Sequence, residues 1–568
     1  MGRRPRGDDA PFAIAGILLC NGSFPVKASS EPEESRCASR EPCDAGSRRS
    51  RGEESMSESA NIDDPGAAAH TGEISRRFFL RAFAGGVAAL SGACDGMAPV
   101  DAPTAEALSE LTRASGGQLA DLIRRKRVSS LEVVEAHLAR IAKINPRLNA
   151  VVKLRADEAR AEARAADKAL ARGKPLGPLH GVPMTIKDSI DTAGVVTTGG
   201  TSGRTNFVPA EDATVVRRLK EAGAILLGKS NTPEMTWSYE TNNAVYGRTN
   251  NPYGLDLSPG GSSGGAGAIV AAGGSPFDVG SDTGGSIRVP SHFCGIAGLK
   301  PTSGRISRTG HIVPAEGLLQ SFTVLGPMAR SVDDLWLLFS VLAGPDWRDA
   351  ALIPAPLGDP KHVRLRDLRI AMHTDNGIAA PDAAVRQAVV DAAAALEAGG
   401  ARVESKKPDA LSDVLTIDAD IFRADGSAWL KRLLDLAGTT DPGAEVDAAL
   451  ASEPLSSGEL TAAVERLDAW RGRMLGFMKD VDAIVCPPCV LETLPHDAWV
   501  EHGVYAGFSY SFAYNMTGWP AVVVRAGTSS RGTPVGVQII GRPFREDVVL
   551  ALAGHIEREL GGYRAPAI

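Results

Sequence analysis

The sequence predicts an α/β protein, with helices on both faces of a sheet, folded as one large domain over residues 105–568. Three observations lead there. Short apolar runs alternate with helical stretches through the body. No internal repeat period emerges, and no linker is long or polar enough to divide the chain. With 568 residues, 43% hydrophobic and 23% charged, the composition is that of a globular protein with a sizeable core. A net charge of −7 supplies no basic patch, so nucleic acid is not an expected partner. No apolar run reaches the roughly 18 residues a membrane-spanning helix needs.

Taken in order, the body opens with helices. Ser129 and Glu132 form a capping box ahead of Leu131, Val134, His137, Leu138 and Ile141, and Asn145-Pro146 is expected to close this helix. His137 reads as a partly exposed residue on it. Ala156 to Arg172 is rich in alanine and charge and stops at Gly173, a second helix. Next come the apolar run Pro183–Ile186, a helix-like stretch Thr214–Ala222, the run Ala224–Leu227, the small-residue segment Ala266–Ala272 and the run Phe277–Val279. Helices are expected at Leu335–Leu342 and Ala383–Ala398, with strands at Arg369–Met372 and Arg402–Glu404. Residues 408–480 read as mainly helical. Strands Ala483–Val485, Ala521–Val524 and Val535–Ile540 and a helix Glu546–Leu560 complete the body.

The first hundred residues differ in kind. Residues 1–55 are rich in Arg, Ser, Glu and Gly without periodicity, and read as a disordered or over-extended leader, with Met56 as the better start. Residues 56–104 carry Ser75-Arg76-Arg77-Phe78-Phe79-Leu80 before a short Gly/Ala-rich apolar stretch, the pattern of a twin-arginine export signal. The expectation is a periplasmic or secreted protein that meets the twin-arginine translocation machinery, with a cytoplasmic location as the alternative. A second basic-apolar stretch, Arg3 to Leu19, is ranked behind it. Cys94 sits near a lipoprotein-like box whose leucine is one position too far away. Three cysteines remain in the body, too few for a disulfide framework. Cys486-Pro487-Pro488-Cys489 has a C-x-x-C outline, but no second pair completes a metal site, and it reads as a strand-exit loop.

The chemistry-bearing motifs lie in the middle of the chain. Gly260-Gly261-Ser262-Ser263-Gly264-Gly265 is followed by Gly280-Ser281-Asp282-Thr283-Gly284-Gly285-Ser286-Ile287-Arg288. Glycine lets backbone N–H groups crowd a reacting carbonyl where a side chain would block it. Upstream, Lys187 ends the apolar run of His180-Gly181-Val182-Pro183-Met184-Thr185-Ile186-Lys187-Asp188, whereas most other lysines sit among charges. Together with Cys294-Gly295-Ile296-Ala297-Gly298-Leu299-Lys300-Pro301-Thr302, these stretches resemble the amidase signature family. The spacings agree too, with Ser262 75 positions after Lys187 and Ser286 24 after Ser262.

The resemblance, which covers about Gln118 to the C-terminus, implies a mixed, twisted sheet flanked by helices and a Ser-Ser-Lys triad. Ser286 would be the nucleophile, Ser262 the bridging serine set at a cis peptide, and Lys187 the base. Thr283, Gly284, Gly285 and Ser286 would supply the oxyanion hole. Asp188, Asp282 and Arg288 are expected to support these groups, the last two as an ion pair bracing the loop. A lysine must lose its proton to act as a base, and burial among Val182, Met184 and Ile186 would lower its pKa. The implied activity is hydrolysis of a small-molecule carboxylic amide through an acyl-enzyme, with no cofactor and no metal, and with a homodimer left open. An amidotransferase component that supplies ammonia to a partner, the A chain of such complexes, shares these motifs. An esterase of the α/β-hydrolase type is a weaker alternative, because a loop, Asn251 to Pro259, precedes the G-x-S-x-G serines where an elbow needs a strand. No G-K-[ST] follows the glycines, which argues against nucleotide binding. A binder on a hydrolase scaffold is disfavoured by the intact triad. The segment 408–480 and the aromatic stretch Trp499–Trp519 are the expected source of substrate choice, although such aromatics also serve as core.

Overall fold

The computed structural model describes residues 105–568 except Leu176, Ala315 and residues 499–503. The expectations for the leader, the export signal, Cys94 and a start at Met56 fall outside the described residues, as does Trp499.

Two sheets organise the described chain. The smaller one holds β1 (Val151–Leu154), β2 (Pro183–Lys187) and β3 (Ile225–Ser230) in the order β1-β3-β2, with β2 parallel to β3. The larger one holds β4 (Phe277–Asp282), β5 (Ala297–Lys300), β6 (Val324–Ala329), β7 (Arg369–Met372), β8 (Arg402–Ser405), β9 (Ala483–Cys486), β10 (Ala521–Thr528) and β11 (Pro534–Gly541). Its order is β4-β6-β5-β10-β11-β9-β7-β8. The sheet is mixed: β7 runs parallel to β8 and β9, and the remaining pairs are antiparallel.

Helices cover both faces of the larger sheet, and strand alternation shows how. On β11 the even positions meet the helix Arg288–Phe293: Gly536 donates its N–H to His292 Nδ1, and Gln538 Oε1 accepts from Arg288. Odd-numbered Gly541 abuts Val549 of the helix Glu546–Leu560 on the opposite face. The odd-position side chains Val535, Val537 and Ile539 are fully buried, each contributing roughly 1.5–3 kcal/mol. The helix Ala383–Ala398 packs on that same face.

Several elements depart from expectation. The helix capped by Ser129 runs from Ser130 to Leu148, through Pro146. Proline this close to the end costs little, because the final turn closes by Asn149 N–H donating to Asn145 O, and Asn145 Oδ1 takes the N–H groups of Ala150 and Val151. His137 is buried rather than partly exposed, since this helix packs against neighbours on several sides; its ring nitrogen Nδ1 lies 2.8 Å from Val133 O. Burial lowers its pKa to about 4. Strands β1, β5 and β6 go beyond the runs read from the sequence. The small-residue segment is the helix Gly264–Ala271, buried throughout. Residues 408–480 do fold mainly as helices, at Val414–Phe422, Ala428–Ala437, Ala444–Leu450 and Ser457–Phe477.

For the site, the important junction is between the sheets. Thr185 Oγ1 of β2 donates to Asp278 Oδ2 of β4 at 2.6 Å, in a fully buried position. This contact draws the C-terminal ends of β2 and β4, Lys187 and Asp282, toward one another.

Candidate active site

The site is assembled from three short stretches: the end of β2, the glycine-serine loop ahead of the helix Gly264–Ala271, and the turn that leaves β4. Close backbone packing explains the glycines. A Cβ on Gly265 would come within 2.3 Å of Asn231 N, and Gly285 has a φ of +123° with Ser511 Cβ 2.7 Å from where its own Cβ would be. The Gly261–Ser262 peptide is cis. The two serine loops are stitched together by Ser263 N–H donating to Ser286 O at 3.2 Å and by Ser263 Oγ donating to Ser281 O at 3.2 Å.

Lys187 is fully buried, and its Nζ lies 2.7 Å from Ser262 Oγ, 2.9 Å from Ser263 Oγ and 2.9 Å from Ser281 Oγ. Burial holds its pKa well below the ordinary lysine value, with the charges of Asp282 and Asp278 opposing only in part. The setting differs from that of two other buried lysines. Lys229 donates to the carbonyl of Ile190 and to Thr192 Oγ1, and Lys300 to the carbonyl of Pro301. A carbonyl can only accept, so it keeps an N–H pointed at it. Hydroxyls can donate as well, and because Ser263 gives its proton to Ser281 O, Ser262 and Ser281 are the two that can hand one to a neutral amine.

Of Lys187, Ser262 and Ser286, the first two are sealed, at 0% and 1% exposure, while Ser286 is 8% exposed and lines a cavity of about 160 Å³. Ser286 is therefore the hydroxyl of the three that a substrate can reach. The amides around it divide. Gly285 N–H donates to Asp282 Oδ1 at 2.9 Å and Ile287 N–H to Asp282 Oδ2 at 3.0 Å. Gly285 is thus withdrawn from the expected set of four oxyanion donors. The N–H groups of Thr283, Gly284 and Ser286 carry no backbone or side-chain acceptor among the described residues.

Asp282 and Arg288 form a fully buried ion pair, with Arg288 Nη2 2.9 Å from Oδ1 and Nε 3.1 Å from Oδ2. Burial alone would raise the Asp282 pKa, but the charge and hydrogen bonds of Arg288, with help from Lys300 and Asn515, hold it well below the usual carboxylate range. Arg288 also donates to Ser511 O, Gln538 Oε1 and Asn515 Oδ1, which fixes the turn to the helix Ser509–Met516 and to β11. Asp188 braces the other side: its Oδ2 accepts from Thr198 N and Thr198 Oγ1, tying down the loop after β2. Burial raises its pKa to about 6. His292 bridges Leu491 O and Gly536 N, and His180 Nε2 lies 3.1 Å from Ala166 O. Cys486 ends β9, and Cys489 lies in the loop that follows; both are buried, free thiols whose pKa burial pushes up to about 12.

Sequence reasoning missed Ser263 and Ser281 as partners of Lys187. Their place one residue from Ser262 and from Asp282 was the available signal. It also missed Met235–Tyr239, which walls the cavity. It missed Val313 and Leu319 as well, while other walls come from the two segments expected to set substrate choice: Asp418, Phe422 and Trp429 from the first, Tyr505 and Phe512 from the second. Others of the aromatic stretch are core. Phe508 stacks on Tyr239 with centroids 3.7 Å apart, and Tyr510, Tyr514 and Trp519 are buried.

The amidase family profile matches residues 132–550. The GatA-type component of the glutamyl-tRNA(Gln) amidotransferase from Moorella thermoacetica is 37% identical over 485 residues, 80% of this chain and 98% of the relative. An indoleacetamide hydrolase from Bradyrhizobium diazoefficiens is 37% identical over 454 residues, 77% of this chain and 85% of the relative. Among solved structures, 6-aminohexanoate cyclic dimer hydrolase complexed with substrate superposes with a TM-score of 0.73 at 29% identity, covering 81% of this chain and 99% of that one. The chain belongs to the amidase family, and its α/β fold, with an eight-stranded mixed sheet flanked by helices, is that of the amidase signature structures.

Proposed function

We propose that this chain hydrolyses an amide of an apolar or aromatic acid through an acyl-enzyme on Ser286. The observation that carries the reading is a buried amine held among three hydroxyls, Ser262 included, on a loop whose Ser263 N–H is bonded to the carbonyl of Ser286, the triad serine that opens on a cavity. Ser286 Oγ attacks the amide carbon while its proton passes to Ser262, and Ser262 Oγ passes its own proton to the neutral Lys187. The N–H groups of Thr283, Gly284 and Ser286 take the charge that forms on the carbonyl oxygen. As the C–N bond breaks, the proton returns through Ser262 to the leaving nitrogen, releasing ammonia or an amine. Water then attacks the ester on Ser286 with the same relay as base, and the acid is released.

A second reading, an ammonia-supplying amidotransferase component, is favoured by one observation, the 37% identity to the Moorella thermoacetica protein. The walls of the cavity argue for the hydrolase instead. Trp237, Phe422, Trp429, Tyr505 and Phe512 suit an apolar arm better than a short polar amide. The two readings separate in one experiment on the purified chain alone. An aryl-substituted amide should be hydrolysed, glutamine should not, and a fluorophosphonate should label Ser286. Ser286→Ala should lose both labelling and turnover. Full activity in that variant, or turnover of glutamine alone and only with added amidotransferase partners, would overturn the proposal.

A further inference from the structure

One wall of the cavity carries a carboxylate that no described residue balances. Asp418, on the helix Val414–Phe422, lines the cavity and is 2% exposed. Its Oδ2 accepts from the Tyr505 hydroxyl at 2.5 Å, while its Oδ1 has no hydrogen-bond partner among the described residues. No described lysine, arginine or histidine pairs with it, whereas the buried carboxylates of Asp282 and Glu240 pair with Arg288 and Arg248. Around Asp418 the cavity is aromatic. Trp237 sits 5.8 Å from Phe422 and 5.7 Å from Trp429, ring centre to ring centre, and Tyr505 sits 5.4 Å from Phe512.

An uncompensated carboxylate in an apolar wall is costly by itself. Aromatic faces beside such a carboxylate are the surroundings that favour an organic cation: the ring faces attract it, and the acid supplies the opposite charge. The neighbouring phenol adds to this, because the Tyr505 oxygen, having donated its proton to Asp418, presents its lone pairs as acceptors.

Resting on the hydrolase reading, we propose that the Asp418–Tyr505 pair makes the cavity selective for amides whose acyl arm ends in an ammonium group. The aromatic rings hold the methylene or aryl part of the arm, and the pair meets its charged end. Burial, opposed by the Tyr505 hydrogen bond, raises the pKa of the Asp418 carboxyl to about 7, so an arriving cation also stabilises its ionised form.

The test compares two p-nitroanilides of matched length, one of 6-aminohexanoic acid and one of heptanoic acid, on the wild type and on Asp418→Asn. The quantity read is the ratio of their kcat/KM values, in which a common loss of folding or turnover cancels. The wild type should favour the amine-ended substrate by about 10- to 100-fold, the span expected of one charge-assisted contact. Asp418→Asn should bring the ratio close to one, mainly through KM for the amine-ended substrate. A wild-type ratio of one or less, or an unchanged ratio in the variant, would overturn the inference while leaving the hydrolase reading intact. Should neither anilide be hydrolysed, the hydrolase reading fails, and calorimetry with hexylamine against hexanol still decides the inference. Binding of hexylamine that is lost in Asp418→Asn supports it, and equal binding of the two probes refutes it.

Discussion

Lys187 sits among three hydroxyls and Arg288 divides its guanidinium among four side-chain and backbone partners, whereas Asp418, across the cavity, keeps one carboxylate oxygen without any among the described residues. Around Lys187 and Arg288 the floor of the site is thus a network whose donors find acceptors in one another, although Asp188 Oδ1 and Asp278 Oδ1 have no partner among the described residues. The wall is an aromatic surface that carries one carboxyl group with no cationic partner among them. A reaction common to many substrates needs its donors and its base held in place before anything binds. Choice among substrates is a difference of affinities, and it is built from groups that stay incomplete until the right arm arrives. The floor ought to answer to substitution with losses of turnover or of folding, and the wall with changes in KM.

The largest expected effect lies in the floor. Lys187→Ala should lower kcat/KM for an amide by about 10²- to 10⁴-fold, the range for a general acid–base group. A matched ester should lose less, because a departing alkoxide needs less help from a proton than an amine does. The pH profile gives the sign. On the proposed relay the amine acts once it has lost its proton, and burial lowers its pKa, so wild-type activity should rise with pH along a limb well below the ~10.4 of free lysine. That limb should vanish in the variant. Equal losses on both substrates with the limb intact would assign the proton transfer elsewhere and remove the floor's claim to the chemistry.

How much of this was legible beforehand follows the same division. The floor is written in contiguous stretches, since 260–265 and 280–288 carry their glycines and serines side by side, and Lys187 ends a visible apolar run. The Asp282–Arg288 pair was legible because both partners flank one turn. The Gly285 N–H, expected among the oxyanion donors, is bonded to Asp282 Oδ1, a direction that only the folded turn decides. The wall draws on Met235–Tyr239, Asp418–Trp429 and Tyr505–Phe512, and nothing local says that these segments meet. Among strands, β6 includes Gly326 and Pro327, residues that argue against a strand until neighbours fix it, and β5 contributes four residues from within a motif read for other reasons. His137 looked like a partly exposed position because helical spacing reports one buried face, while its helix is covered on several.

Next in size is the brace beneath the floor. Arg288→Met leaves the Asp282 carboxylate buried without its cation, and breaking such a pair costs about 3–5 kcal/mol. Urea unfolding should show that loss, and Asp282→Asn placed on top of it should restore part of the stability, because the orphaned charge is then gone. A loss under about 1 kcal/mol for Arg288→Met would mean that the turn is held by its glycine packing and the Ser263–Ser286 contact instead, and that the floor is less of a charged network than its geometry suggests.

The smallest effect should come from the wall. Phe422 is partly buried, tilted against Trp237 at 5.8 Å and stacked on Phe322 at 6.3 Å. Truncating it removes apolar contact with the arm of a substrate and leaves Lys187, Ser262 and Ser286 untouched. Phe422→Ala should therefore raise KM for an aryl-armed amide by about 5- to 20-fold, in line with the ~1–3 kcal/mol that pocket contacts contribute to discrimination, and change kcat by no more than about threefold. Acetamide, too short to reach the ring, should keep its kinetic constants. If kcat for the aryl amide fell as steeply as KM rose, binding at the wall would be driving the reacting carbonyl into place. The separation of a fixed floor from a selective wall would then give way to one coupled site.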